Sequence, residues 1–254
     1  MKISAIAFNT FKEAIRDKIL YLLLFFALIC IVFSRILALL TVGDRIKIIK
    51  DVGLASLSLF GALMAILIGT GLVYKEIEKK TIYTLLSKPI HRSQFLLGKF
   101  FGLVLTLFIM LFLMSIIFLA LIFFHTFKID WQMLVAILFV FLELCLITAV
   151  ALLFSCFSTP ILSSVFSLAF YLIGHTSWGL ETLIKKIPPG TGRTLTYILY
   201  HFLPDLENFN FKTEIVHGLS IPSSMFLYSI LYGLFYTLFI LSIALLVFRR
   251  RDFI

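Results

Sequence analysis

Polar positions divide the chain into six long apolar runs, at 20–40, 52–74, 100–124, 131–157, 161–180 and 225–248. A helix needs about 20 such residues to cross a ~30 Å hydrocarbon core with its backbone groups satisfied internally. The fifth run is the most dilute, carrying Ser163, Ser164, Ser167, His175, Thr176 and Ser177, and only 155–160 separates it from the fourth. The pattern predicts an all-α integral membrane protein, a single transmembrane domain over 1–254 with six transmembrane helices. Ahead of the first run, Ile3, Ala7, Phe11, Ala14, Ile15 and Ile19 recur at helical spacing, with Lys2, Asn9, Lys12, Glu13 and Arg16 opposite. This predicts an interfacial elbow helix over 1–18, although a plain extension of span one uses the same positions. The first run outlasts the 7 to 15 residues of a signal-peptide core and lacks a small-residue cleavage site, so it reads as an uncleaved span.

Composition agrees with lipid as the solvent. Of the 254 residues 61% are hydrophobic and 14% charged, with a mean hydropathy of +1.11; soluble domains are ~25% charged. The 29 Phe and 9 Tyr exclude disorder. Cys30, Cys145 and Cys156 all lie in apolar runs, without a CxxC pair or a His at ligand spacing, which argues against a disulfide framework or a metal site.

The formal net charge is +9. With both termini, 75–99 and the 157–161 connection placed in the cytoplasm, thirteen of the 22 Lys and Arg fall inside, in the shorter segments. The positive-inside bias therefore selects an N-in, C-in topology, anchored by Arg249, Arg250 and Arg251. The excess charge is a topology signal and gives no reason to invoke nucleic acid. Arg35, near the outer end of span one, is placed to snorkel to the headgroups. The same topology leaves an outer loop over 41–51 and an outer segment over 181–224, where short interfacial helices fit the breakers Pro188, Pro189 and Pro204 and the aromatic stretch 197–202.

The cytoplasmic segment 75–99 holds the densest pattern. Tyr74, Ile77, Thr81 and Leu85 share a helical face, with Lys75, Glu76, Lys79 and Lys80 on the other; Ser87-Lys88-Pro89 stops the helix, and Ser93 is placed to cap the next. A membrane-surface loop fits these residues, and so does a rigid helix gripped by a cytoplasmic partner. Glu76-x-Glu78-x-x-Thr81, then Leu85, Leu86, Ser87, Lys88, Pro89, Ile90 and Arg92, with Gly98-Lys99 opening a span, resembles the block after the second span of ABC-2 type permeases. Gly43-Asp44, Leu59-Phe60-Gly61 and the closing Arg250-Arg251-Asp252-Phe253 are similar to the multi-copper enzyme maturation (nitrous oxide reductase maturation) subfamily; Lys80 stands where many members have Gly.

The resemblance implies a permease of a prokaryotic cytoplasmic membrane, paired with a second copy or a paralogue and driven by two cytosolic ABC ATPase subunits. The coupling helix, with Glu76, Glu78, Thr81, Leu85, Leu86, Pro89 and Arg92, would dock on the ATPase. ATP and Mg would then be bound by that partner, with no cofactor in this chain. The residues agree: a phosphate-cradling loop needs Gly-x4-Gly-Lys-Ser/Thr, whereas Gly98-Lys99 is preceded by Ser93 at the first glycine position and followed by Phe100.

Glu143 falls 12 residues into the fourth run, roughly 18 Å along a helix and near mid-membrane. An intramembrane carboxylate marks a functional position. Three uses are open: lining a translocation path, pairing across a permease dimer, or hydrogen bonding in neutral form to a Ser, Thr or Tyr such as Tyr171 at similar depth. His175 fits a donor between helices. Met110 and Met114, one turn apart, fit packing better than a copper relay. Gly61, Ala65 and Gly69 in span two, with Gly98 and Gly102 at span three, predict close helix contacts.

An ATP-driven exporter subunit is the function the resemblance implies. A secondary transporter would show related halves and several mid-membrane ionisable residues, and a membrane-embedded enzyme would need a nucleophile facing a base; Ser177 near His175 carries no such turn motif.

Overall fold

The computed structural model describes residues 2–40, 44–78, 91–128, 130–176, 204–216, 219 and 222–250. Every regular element among them is helical: α1 (Lys2–Ile15), α2 (Lys18–Leu40), α3 (Arg45–Glu78), α4 (Arg92–Thr126), α5 (Trp131–Ser155), α6 (Pro160–His175), a 3₁₀ turn (Leu206–Phe209), α7 (Lys212–Val216) and α8 (Ser223–Arg250). Five helices, α2, α3, α4, α5 and α8, are long and apolar enough to cross a membrane. The fifth apolar run forms α6, which has 16 residues and so rises only about 24 Å. It ends where the Thr176 amide donates back to the Ile173 carbonyl at 3.0 Å, inside the polar stretch that dilutes the run. Of the expected span 161–180 the described helix covers 161–175, and 177–203 lie outside the described residues.

Three other boundaries move. α3 begins at Arg45, within the expected 41–51 loop, where Lys47 pairs with Asp44 at 2.6 Å. At its other end α3 continues through Glu78, so 75–78 prolong span two instead of opening a separate helix. The N-cap of α4 is His91 and not Ser93: its backbone is extended and its amide donates to the Gln94 side chain at 3.3 Å.

α5 is buried over most of its circumference between Phe139 and Leu152, as expected of a helix apolar on all sides. It packs on α3, α8, α4 and α6. The small-residue stripe of α3 faces it, Gly61 against Leu144 and Gly69 against Ala151, so that contact lies within one bundle. α2 and α8 lie at the periphery and expose Phe25, Phe33, Leu234, Phe235 and Leu238, side chains suited to lipid. Met110 and Met114 are core packing residues.

The elbow helix exists over 2–15 but does more than float at an interface. Asp17 restarts the chain as α2 by accepting the Ile19 amide at 3.0 Å. α1 lies on α4, its inward face running through Ile6, Thr10 and Ala14. The approach is so close that a Cβ at Gly102 would stand 2.5 Å from the Ala7 carbonyl oxygen. Lys99, 1% exposed, is enclosed at this junction with its Nζ 3.4 Å from Glu13 Oε2. At the opposite end of α4, Lys50 and Asp130 tie α3 to the start of α5 at 2.6 Å.

The described part of 181–224 is also inserted into the bundle and not superficial. Leu206, Phe209, Ile215 and Val216 are buried, and the Phe211 ring lies 4.6 Å from that of Phe139. Gly174 makes the seat, since a Cβ there would meet Leu206 Cγ at 2.6 Å. The apolar side chains of 206–216 thus have a core to enter, beyond the interfacial position that the sequence suggests.

Candidate functional site: a buried polar network

A chain of polar groups runs through the half of the bundle where α3 and α5 begin and α6 ends. Glu143, 1% exposed, projects from central α5. Ser58 on α3 reaches both carboxylate oxygens, at 3.3 and 3.4 Å, and its hydroxyl also lies 3.3 Å from Tyr171 Oη on α6. His175, one turn beyond Tyr171, places Nε2 2.8 Å from Glu143 Oε1. The two rings meet edge to face at 4.7 Å.

The network continues into the inserted segment. His175 Nδ1 stands 3.8 Å from Glu207 Oε2. Asn210 donates its side-chain amide to Glu207 Oε1 at 2.7 Å, and Asp205 caps the turn by accepting the Glu207 amide at 3.1 Å. The His175 ring beside it holds the Glu207 carboxyl below its usual range, against the opposing effect of burial; Asn210 acts in the same direction. Burial pushes the Lys212 ammonium down, while Glu143 and Glu207 resist that shift. One turn of 3₁₀ helix and α7 therefore bring a carboxylate and an amine to a histidine rooted in α6. The Asp205 amide donates to Tyr232 Oη at 2.8 Å, adding α8 to the structure that positions them.

The chemistry is charge balance. With the imidazole protonated, His175 and Lys212 offset Glu143 and Glu207; of the four only Glu143 is fully buried, so loss of its partner His175 is the change that leaves a buried charge uncompensated. The opposed nitrogens of His175 address different carboxylates, so the acidic groups diverge from the ring instead of converging on one point. Among the described residues no group of three His, Cys, Asp or Glu is arranged to hold a metal.

Glu143, Tyr171 and His175 thus come together, though not as the spacing suggested. His175 is the direct partner of Glu143, and Tyr171 is linked through Ser58. Sequence reasoning missed Ser58, Glu207, Asn210 and Lys212. Ser58 had a signal, for it continues the small-residue stripe of Gly61, Ala65 and Gly69 by one turn. Glu207 had only the alternation of Asp205, Asn208 and Asn210 with Leu206 and Phe209 around it.

Of the other expected site residues, the described ones lie at the opposite end. Glu76 and Glu78 close α3, Thr81, Leu85, Leu86 and Pro89 lie outside the described residues, and Arg92 opens α4. Arg92 Nη1 donates to the Arg249 carbonyl near the end of α8 at 2.9 Å.

A family model described as ABC-2 family transporter protein matches residues 4–253. No curated protein matches the chain.

Proposed function

The chain belongs to the ABC-2 transporter family, a multi-pass membrane permease component of an ABC transporter, and from that premise we propose that it is the transmembrane subunit of an exporter in a prokaryotic cytoplasmic membrane. In this reading α6 completes a sixth span, both termini are cytoplasmic, and the chain pairs with a second copy or a paralogue. ATP and Mg are bound by two cytosolic ATPase subunits. Residues 75–99 dock on them, Arg92 carrying the motion into α8 through Arg249. The copper-enzyme maturation subfamily names one branch to which the permease would belong; no residue here is assigned to copper.

The observation that carries the site assignment is the 2.8 Å contact between the buried Glu143 and the part-buried His175, which the proposed orientation would set in the outer half of the membrane. Its extension to Glu207 makes it a latch between spans and outer segment. ATP binding would close the ATPase pair, tilt the spans and part this latch. Coexpression with candidate cytosolic ABC ATPases from the same organism tests the reading: one should copurify with the permease, and Glu143→Gln should change ATP turnover while leaving assembly intact. Failure to copurify any ATPase would reject the exporter. The buried Glu–His pair also suits a proton-coupled secondary transporter, which would work in vesicles free of ATP.

A further inference from the structure

α4 and α5 leave a recess of about 230 Å³ between their outward faces, walled by these two helices, both described over their full length. Phe108, Phe112 and Ile116 of α4 face Leu134, Leu138 and Phe141 of α5 across it. It opens outward, where Phe112 and Leu138 are exposed. Ser115 belongs to the same stripe of α4 and is the only polar side chain among the described residues that line the recess. It is 5% exposed, so it sits at the floor. Its hydroxyl has no hydrogen-bond partner among the described residues. Ser56, Ser164, Ser167 and Ser242, by contrast, each donate to the carbonyl four residues earlier in their own helix.

A buried hydroxyl without a partner is costly, and the occupant of the recess decides whether it stays so. Water does not fit, because it needs two to four polar partners and Ser115 supplies one. A phospholipid acyl chain fills the apolar volume but leaves the hydroxyl bare. Eleven residues separate Ser115 from Thr126 at the end of α4, a depth of about 16 Å, or half of a ~30 Å hydrocarbon core. The ester oxygens of a phospholipid stay at the surface and do not reach that level. The occupant that satisfies the site brings one hydrogen-bonding oxygen into hydrocarbon on an otherwise apolar body. The walls favour a ring. Phe108 and Phe112 lie 17° from parallel, and Phe141 meets Phe108 edge to face at 5.6 Å, so a guest ring finds both faces and edges. An apolar cavity of ~150 Å³ holds benzene, so about 230 Å³ admits one ring with a short chain.

We propose that the recess between α4 and α5 binds a neutral, membrane-soluble alkylphenol, its ring against Phe108, Phe112 and Phe141 and its hydroxyl paired with Ser115 Oγ. Ser115 both donates and accepts, so the phenol satisfies it in either direction. The alkyl chain leaves through the mouth beside Leu138. Glu143 projects from another side of α5, toward Ser58 of α3 and His175 of α6. The site is therefore separate from the polar network and independent of transport direction.

The test is photolabelling of the full-length permease in phosphatidylcholine nanodiscs with 4-propylphenol carrying a diazirine on its chain, the labelled residues being located by mass spectrometry. Label should concentrate on α4 between Phe108 and Leu119 and on α5 between Leu134 and Phe141. Unlabelled 4-propylphenol should compete at a roughly fivefold lower membrane concentration than propylbenzene, which lacks only the oxygen; that factor is the worth of one neutral hydrogen bond. Ser115→Ala should make the two competitors equal. Leu138→Trp, which fills the mouth from the α5 side, should remove the label and decides the matter if Ser115→Ala does not fold. Equal competition in the wild type would overturn the proposal and assign the recess to lipid chains. A preference for the phenol that survives in Ser115→Ala would overturn it too, as would a recess left unlabelled because a second copy of the permease covers it.

Discussion

Glu143 and His175 meet at 2.8 Å between Oε1 and Nε2, fixing the end of α6 against the middle of α5. Removing one partner leaves the other buried without its counter-charge, at a cost of about 3–5 kcal/mol. His175→Ala should therefore lower the thermal unfolding temperature of the purified permease strongly. Adding Glu143→Gln to His175→Ala should recover part of the loss, because the orphaned charge goes with it. Additive losses in the double-mutant cycle would mean that the pair is not coupled.

The inserted segment carries its own pH dependence. Glu207 titrates lower in the folded chain than in the unfolded chain, where a glutamate lies near ~4.3. Its contribution is present above that value and is lost as pH falls through the folded value. Lys212 is shifted down by burial, so the unfolded chain holds more protons between the folded value and ~10.4, and stability rises with pH across that window. Unfolding temperatures measured at stepped pH should fall less steeply on the acid side for Glu207→Gln, and rise less on the alkaline side for Lys212→Met. Wild-type profiles in both variants would remove the two groups from the linkage.

Two glycines should respond oppositely to alanine. At Gly102 the new Cβ would meet the Ala7 carbonyl oxygen at 2.5 Å and Thr10 Cβ at 2.6 Å, so α1 must move; overpacking of this kind costs about 1–3 kcal/mol. At Gly71 no atom of the described residues lies within 4 Å of the added Cβ, and the helix-propensity gain of up to about 1 kcal/mol remains. Thermal unfolding of the two variants reads the difference directly, and Gly102→Ala matching wild type would show that α1 is not docked on α4.

Asp130 does two jobs: it pairs with Lys50 at 2.6 Å and caps α5 by accepting the Gln132 amide at 3.2 Å. Asp130→Asn keeps a capping side chain and loses the charge pair, whereas Asp130→Ala loses both. The alanine variant should be the less stable by about 1 kcal/mol, the usual value of a cap. Chemical or thermal unfolding in detergent that ranked the two equally would leave the cap without weight.

Much of this fold is legible in hydropathy because lipid imposes one rule on every spanning helix. Length, apolarity and small-residue stripes locate α2 to α5 and α8, and the small residues of α3 do meet α5. Helix ends were less legible: α3 runs from Arg45 to Glu78 because charged residues at both ends continue a helix that apolarity does not define. The intramembrane carboxylate was found as an anomaly, yet its partner was not, since a contact between residues 32 positions apart depends on how α5 and α6 cross. Glu207 was hidden for a stronger reason. Its segment enters the bundle through Leu206, Phe209 and Phe211, and nothing in a mixed polar and aromatic stretch distinguishes insertion from lying at an interface.

The latch can be tested by locking it. Gly174 and Leu206 are close enough that a Cβ on the glycine would lie 2.6 Å from Leu206 Cγ, so Gly174→Cys with Leu206→Cys, in a chain whose Cys30, Cys145 and Cys156 are replaced by Ala, can join α6 to the inserted segment. In the reconstituted complex with its ATPase, oxidation should leave assembly intact but suppress permease-dependent ATP turnover, and reductant should restore it. Full turnover with the crosslink closed would contradict a gate built on Glu143, His175 and Glu207.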